Sequence, residues 1–330
     1  MRRNCFLSHT TGQAGAQHAA LAAPLRRILS VESVANKKFT IGLLLILRLA
    51  FSGYAVAQDT KLTAAESAVQ ARIAKSGADV AVFFKTLDGK VQWEVRADDV
   101  FHAASTMKLP VMIELFHQVQ EGKVKLTDTL LIKDEFHSIV DGSPYMLNAS
   151  DDSEGELYKA EGQKRTLREL CELMITASSN LATNLLIEKL DVENIRATVH
   201  KLGADGMNVV RGVEDGKAFQ KGLNNTTTAR GLAVLLQAIA EGKAVDAASS
   251  NQMVAILQWQ KFNQGIPMGL PKGTPVAHKT GEITKIHHDA AIVFARRPFI
   301  LVTLVRGLAE KKDSAMLMAD ISKSLYEAVE

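Results

Sequence analysis

The first residues in the chain that could do chemistry together are a serine and a lysine, Ser105 and Lys108, three positions apart. Residues at this spacing share one face of a helix, so the spacing predicts that Lys108 lies beside the hydroxyl of Ser105. A lysine whose pKa is lowered by burial or by nearby cations can take the proton of a serine and make the oxygen a nucleophile. A Ser-x-x-Lys pair also occurs often by chance, so this pair alone indicates little.

Two later polar segments could complete a site around that serine. Ser178–Asn180 interrupts an apolar helical pattern, where small polar side chains are costly unless they have partners. The segment therefore predicts either a kink or helix contact, or a second wall of a site. Lys279–Gly281 lies on a predicted strand, where a glycine lets a ligand approach the backbone closely.

In this order, Ser105-x-x-Lys108, Ser178-x-Asn180 and Lys279-Thr280-Gly281 resemble the three motifs of class A β-lactamases and penicillin-binding proteins. The resemblance covers nearly all of the chain after residue 58. It implies an α/β (α+β) fold of the β-lactamase/transpeptidase type. In that fold an antiparallel sheet is flanked by the N- and C-terminal helices, and an all-helical domain is inserted.

The resemblance also implies roles in the acylation of a serine by a β-lactam. Ser105 would attack the lactam carbonyl, and Lys108 would help to deprotonate it. Ser178 would pass a proton to the leaving nitrogen, with Lys279 supporting it electrostatically.

Substrate binding falls, by the same resemblance, to Asn180, Thr280, Gly281 and Glu282. Asn180 would hold the side-chain amide of the substrate, and Thr280 would bind its carboxylate. The backbone N–H groups of Ser105 and Glu282 would form the oxyanion hole, a preorganised donor pair that suits acyl transfer.

Hydrolysis of the acyl-enzyme requires an activated water. The segment 211–214 resembles the start of the omega-shaped loop of class A enzymes, and Glu214 follows Ser178 by 36 residues, which is the family's spacing. Glu214 is therefore the predicted catalytic base of this step, and a solvated loop acid is the alternative interpretation.

Five features depart from the family pattern, and all of them bear on substrate choice or deacylation. They are Ala218 in place of the asparagine that holds the water, a loop from Glu214 to Thr226 about two residues short, Ser179 in place of aspartate, Glu282 in place of a small residue, and the lack of an arginine just after Asp289. Three functions stay open: an exported serine β-lactamase, a related hydrolase such as a D-Ala-D-Ala peptidase or esterase, and a penicillin-binding sensor that acylates without turnover.

Several elements must position these residues. The apolar spacing predicts helices over 61–75, from Ser105 to about residue 120, over 167–190 and over 313–329, and a hairpin around Asp88-Gly89. Two strands over 274–294 and a strand over 300–305 complete the pattern. An acidic loop over 151–156 is predicted to be solvated.

Composition and charge limit the cellular role. Of 330 residues, 47% are hydrophobic, and the net charge of +3 divides into +6 for residues 1–57 and −3 for the remainder, which argues against nucleic-acid binding. Residues 1–57 are predicted to be a leader with a signal peptide at 37–57. Residues 58–98 and 260–330 would form the α/β domain and 99–259 the helical domain.

We expect export to the periplasm or medium, a monomer with no membrane segment after cleavage, and no cofactor or metal. The adjacent His287 and His288 raise the possibility of zinc. However, neighbours on a strand point to opposite faces and rarely share a metal.

Overall fold

A five-stranded antiparallel sheet forms the centre of the computed structural model, which describes residues 60–330. In spatial order its strands are β2 (Gln92–Val95), β1 (Asp79–Thr86), β11 (Phe299–Arg306), β10 (Ile286–Val293) and β9 (Val276–Ile283). The sheet thus combines strands from both ends of the chain. The predicted leader and signal peptide lie outside the described residues.

The sheet is buried on both faces, as the alternation of apolar side chains along β1 shows. Val80, Val82 and Phe84 belong to one apolar cluster, whereas Ala81 and Phe83 belong to the other. Successive side chains of a strand point to opposite faces, so an apolar strand of this kind must be covered twice. The hairpin predicted around residues 88–89 is confirmed by the pairing of β1 with β2.

Nine α-helices are present in the described part of the chain. They are α1 (60–76), α2 (Lys108–Gln120), α3 (Leu167–Thr176), α4 (Asn180–Leu190), α5 (Val192–Lys201), α6 (Gly216–Gln220), α7 (Ala229–Ala240), α8 (Ala247–Gln258) and α9 (Lys311–Val329). Helices α1 and α9 share one apolar cluster with the sheet through Val69, Ile321 and Leu325. The predicted α/β (α+β) fold with terminal helices beside an antiparallel sheet is confirmed.

The other face of the sheet is covered by α7, which packs against β1, β10 and β11. Helices α2, α3 and α4 pack against one another. The remaining strands are short pairs: β3 (Phe101–His102) with β8 (Thr226–Thr227), β4 (Thr129–Leu131) with β7 (Lys164–Thr166), and β5 (Phe136–His137) with β6 (Pro144–Tyr145).

The helix predicted over 167–190 is wrong as a single element, because the chain forms two helices, α3 and α4. The break falls at Ala177–Ser179, where Ser178 has φ +60° and leaves the helical region. Ser179 then caps α4 by accepting a hydrogen bond from the amide of Ala182 at 3.2 Å. Apolar spacing continues across the break, so periodicity alone did not separate the two helices.

The described residues belong to one compact unit, and the division into an α/β domain and an inserted helical domain stays a prediction. Cys171, the cysteine of this part of the chain, is buried and free. Within residues 60–330, every helix is too short or too polar to cross a bilayer.

Candidate active site

Ser105 lies in a 3-10 turn, Ala104–Met107, that leads directly into α2. Ala104 has φ +45°, a left-handed conformation that is strained for any residue other than glycine. The hydroxyl of Thr106 holds the turn by donating to the carbonyl of Ala103 at 2.6 Å. Ser105 is half-buried and lines a cleft of about 650 Å³.

Gly281 allows strand β9 to lie directly against this turn. A Cβ atom at Gly281 would be 3.0 Å from Cγ2 of Thr106 and 3.2 Å from the carbonyl oxygen of Ala103. The sequence predicted that this glycine admits a ligand. Gly281 lines the cleft, so that expectation stays a prediction, and in addition the glycine lets the turn that carries Ser105 lie close.

Lys108 is fully buried and donates to the second polar segment. Its Nζ lies 2.6 Å from the carbonyl oxygen of Ser178, 2.9 Å from Oδ1 of Asn180 and 3.3 Å from Oγ of Ser178. Burial lowers its pKa from 10.5 to about 7, an effect that the carboxylates of Asp152 and Glu214 partly oppose.

The predicted contact between Lys108 and Ser105 is not a hydrogen bond in this structure. The described hydrogen bonds of Lys108 Nζ all run to the segment Ser178–Asn180 and none to Ser105. An amino group with three acceptors already within reach is drawn towards them, which helical spacing could not predict. Catalytic hydrogen bonds of this kind often tighten only when substrate binds.

Ser178 brings the two buried lysines together. Its Oγ accepts a hydrogen bond from Nζ of Lys279 at 3.0 Å as well as from Lys108. Lys279 also donates to the carbonyl of Thr280 at 2.9 Å. Burial lowers the pKa of Lys279 well below its usual range, the charge of Lys108 lowers it further, and the carboxylate of Asp289 opposes both.

Asn180 connects Lys108 to Glu214. While its Oδ1 faces Lys108, its Nδ2 donates to Oε1 of Glu214 at 2.8 Å. The second oxygen of Glu214 accepts from the amide of Asn148 at 2.9 Å, and Glu214 itself has φ +60°. The structure therefore places Glu214 beside the motif residues.

Hydrogen bonds from two asparagine side chains hold the first residues of the loop that carries Glu214. Asn225 accepts from the amide of Arg211 at 3.2 Å and donates to its carbonyl at 3.0 Å. Asn184, on α4, accepts from the amide of Val213 at 2.7 Å and donates to its carbonyl at 3.1 Å.

Ala218, which replaces the expected asparagine, lies in α6 and is fully buried. Its methyl group cannot hold a water by hydrogen bonding. Asp215 caps the same short helix by accepting from the Ala218 amide at 3.0 Å.

Glu282, which stands where the family pattern has a small residue, lies beside two basic side chains. It forms an ion pair with Lys311, which projects from α9, and its Oε1 lies 3.7 Å from Nε2 of His287. Its side chain is 48% exposed and lines the cleft together with Thr280 and Lys311.

The His287–Asp289 segment does not converge on one point. His287 contacts the hydroxyl of Ser314 at 3.0 Å, whereas Nε2 of His288 lies 2.9 Å from the carbonyl oxygen of His102. Burial lowers the pKa of His288 to about 4. Asp289 lies 2.8 Å from the buried His278. No group of three or more potential metal-ligating side chains is found within residues 60–330.

Sequence reasoning missed two residues near the site. Lys311 is separated from the motifs by the whole of β11, and no local pattern pointed to it. Asp152 falls in the acidic run predicted to be a solvated loop, but it is 9% exposed and contacts the start of α4. An acidic run does not reveal which of its members turns inward.

Comparison with known proteins gives a family match over residues 64–329, to the model described as the beta-lactamase enzyme family. ROB-1 β-lactamase of Haemophilus influenzae is 24% identical over 284 residues, which cover 80% of this chain and 87% of that protein. A β-lactamase of Bacteroides uniformis is 27% identical over 183 residues, which cover 50% of this chain and 60% of that protein.

Solved structures share the fold. The β-lactamase of Sphaerobacter thermophilus DSM 20745 superposes with a TM-score of 0.68 and 25% identity, covering 82% of this chain and 97% of that one. The structure of PBP-A superposes with a TM-score of 0.69 and 26% identity, covering 81% and 96%.

Proposed function

This chain belongs to the beta-lactamase enzyme family, and on that premise we propose that it is a class A-like serine β-lactamase that works through an acyl-serine intermediate. The observation that carries the proposal is the position of the Ser178 hydroxyl, which is within hydrogen-bond reach of two buried lysines, Lys108 and Lys279. Such a cluster is suited to moving protons.

In the acylation step, the oxygen of Ser105 attacks the lactam carbonyl and its proton passes to the neutral amine of Lys108. The lactam C–N bond then breaks, and the Ser178 hydroxyl gives its proton to the leaving nitrogen. Ser178 recovers a proton from the Lys108 ammonium, which lies 3.3 Å from it. The positive charge of Lys279, when protonated, favours the transient loss of that proton.

In the second step, a water attacks the acyl carbonyl with Glu214 as base. The hydrogen bond from Asn180 to Glu214 supports this role, because it joins the carboxylate to the residues that make the acyl-enzyme. Asn180, Thr280, Gly281 and Glu282 are the proposed substrate-binding residues. Thr280, Gly281 and Glu282 line the cleft beside Ser105 and Asn180.

A second candidate is a penicillin-binding protein that acylates and then stalls. Ala218 favours it, since a buried methyl group cannot position the hydrolytic water. We also propose that the chain is exported after removal of residues 1–57, acts as a monomer and contributes to antibiotic resistance.

Covalent labelling by a fluorescent penicillin tests the nucleophile. Wild-type protein should take up one label on the peptide that contains Ser105, and Ser105→Ala should take up none, because the attacking oxygen is gone. Ser67→Ala, on the exposed surface of α1, is the matched control and should label normally. Label that persists in Ser105→Ala on another peptide contradicts the assignment.

A further inference from the structure

Asp152 is a buried carboxylate that contacts the second polar segment of the site. Its Oδ2 accepts hydrogen bonds from the amide of Asn180 at 2.8 Å and from the amide of Leu181 at 3.0 Å. The hydroxyl of Ser179 lies 3.4 Å from the same oxygen. These amides belong to the first turn of α4, where a helix leaves N–H groups without internal acceptors and favours negative charge.

The carboxylate is itself held by its own loop. The hydroxyl of Tyr158 donates to Oδ2 at 3.0 Å, and the amide of Glu154 donates to Oδ1 at 3.0 Å. Both oxygens of Asp152 therefore act only as acceptors. These hydrogen bonds fix the Asp152 side chain in one position. The loop therefore cannot move without moving the start of α4 or breaking the bonds.

The backbone held in this way carries the acceptors that Lys108 uses, although Asp152 and Lys108 bind different atoms of it. Lys108 donates to the carbonyl of Ser178, two residues before α4, and to Oδ1 of Asn180, the first residue of α4. The negative charge of Asp152 also raises the pKa of Lys108 against the lowering effect of burial. The described charged groups acting on Lys108 are Asp152 and Glu214, and Lys108 in turn lowers the pKa of Lys279 on β9.

We propose that Asp152 is a positioning residue of the active site, whose carboxylate holds the Ser178–Asn180 turn in the geometry that Lys108 requires. Asp152 acts from a loop 26 residues before Ser178, through backbone amides. The proposal rests on the proposed acylation of Ser105, because it assigns Asp152 to that same reaction.

The chemistry of the contacts gives a sharp pair of substitutions. Asp152→Asn keeps the shape but turns one acceptor into a donor, which must then face an N–H or O–H group. Ser179→Asp alone would bring a second carboxylate to within about 3–4 Å of the first, where like charges repel. In the double variant the amide at position 152 can donate to the carboxylate at position 179. The double variant should therefore recover the acylation rate that each single variant loses.

The test measures acylation by a fluorescent penicillin in single turnover, across pH, for wild type, Asp152→Asn, Ser179→Asp and the double variant. Both single variants should be slower by about ten- to 100-fold, as expected for a displaced catalytic group, and the double variant should recover most of the loss. The rise of the acylation rate with pH should move to lower pH in Asp152→Asn, because Lys108 loses a neighbouring negative charge. Glu156→Gln, an exposed acid of the same loop, is the matched control and should behave as wild type.

Two results would overturn the proposal. One is a wild-type acylation rate and pH profile in Asp152→Asn. The other is a loss of rate with an unshifted pH profile and no recovery in the double variant, which would indicate a purely structural role.

Thermal unfolding of the same four proteins provides a readout that does not depend on catalysis. Each single variant should have a lower midpoint, and the double variant should recover it. If wild type is not labelled at all, the proposed function fails, while recovery of the unfolding midpoint still tests whether Asp152 holds the turn. If a single variant does not fold, the double variant decides: acylation supports the proposal, and a folded double variant that does not acylate contradicts it.

Discussion

Lys108 and Lys279 are buried within hydrogen-bond reach of the Ser178 hydroxyl, and this burial favours their neutral, unprotonated forms. Lys108 and Lys279 are both fully buried, which lowers the pKa of each, and the charge of Lys108 lowers the pKa of Lys279 further. A lysine with a pKa of about 7 is partly neutral near neutral pH and can accept a proton from a serine. The same residue with its usual pKa would be almost entirely an ammonium ion.

Acylation of Ser105 should therefore depend on pH through Lys108. We expect the acylation rate to fall as pH decreases through about 7, because protonation of Lys108 removes the base. The measurement is single-turnover labelling by a penicillin from about pH 5 to about pH 9, a range that brackets this pKa.

Lys108→Arg serves as the control for this profile. Arginine keeps its proton throughout the range, so this variant should be slow at every pH and should not recover in alkali. A wild-type rate that does not change between acid and neutral pH would remove Lys108 from the role of base.

At the scale of elements, the site depends on segments that leave regular structure. The 3-10 turn of Ser105, the break before α4 and the loop around Glu214 each contain a non-glycine residue at positive φ: Ala104, Ser178 and Glu214. Such conformations cost about 1–3 kcal/mol each and persist only where surrounding contacts hold them. Here those contacts are hydrogen bonds, local ones in the turn of Ser105 and bonds between elements at Ser178 and Glu214.

These same segments mark where sequence-based prediction succeeded and where it did not. The hairpin, the sheet strands and the terminal helices follow from apolar periodicity, because each has a face that must be buried. The three motifs predicted that the two lysines and the Ser178–Asn180 segment share a site, and hydrogen bonds join them in the structure. The predicted contact between Lys108 and Ser105 is not among these bonds. That Lys108 would donate to Ser178, and that Asp152 would turn inward, depends on the break between α3 and α4, which apolar spacing does not encode.

Asn184 should control the loop that carries Glu214. Asn184→Ala removes an acceptor and a donor to Val213, so it should lower the free energy of unfolding by about 1–3 kcal/mol, the cost of buried groups left unpaired. Because Glu214 is next in the chain, the acyl-enzyme should also live longer while acylation changes little. Urea unfolding and acyl-enzyme lifetime measure the two effects, with Asn194→Ala on α5 as a control away from the loop. A stable variant with a normal lifetime would contradict this account of the loop.

For the molecule as a whole, burying two lysines lowers the free energy of unfolding. The sheet and its two helical layers are apolar, yet Lys108 and Lys279 are placed among them without exposure. Their pKa values are depressed on folding, so the unfolded chain binds more protons than the folded protein between about pH 7 and the usual lysine pKa of 10.5. Stability from this source therefore increases as pH rises through that window.

Lys108→Met should weaken that pH dependence. From about pH 7 to about pH 9, wild type should gain about 2 kcal/mol of unfolding free energy relative to Lys108→Met, since methionine does not titrate. Urea unfolding at the two pH values gives both numbers. The absolute stability of the variant does not matter, because only the change with pH is compared. An identical change in both proteins would show that Lys108 has an ordinary pKa in the folded state.

The central claim is that Ser105 is acylated by a β-lactam and then released by water. The most direct measurement is a time course of nitrocefin with the purified chain from residue 58, followed by absorbance and by intact mass. We predict sustained colour with only a transient gain in mass, and in Glu214→Gln a lasting adduct after a single burst. A lasting adduct in wild type would indicate acylation without turnover, and the absence of both colour and adduct would contradict the account altogether.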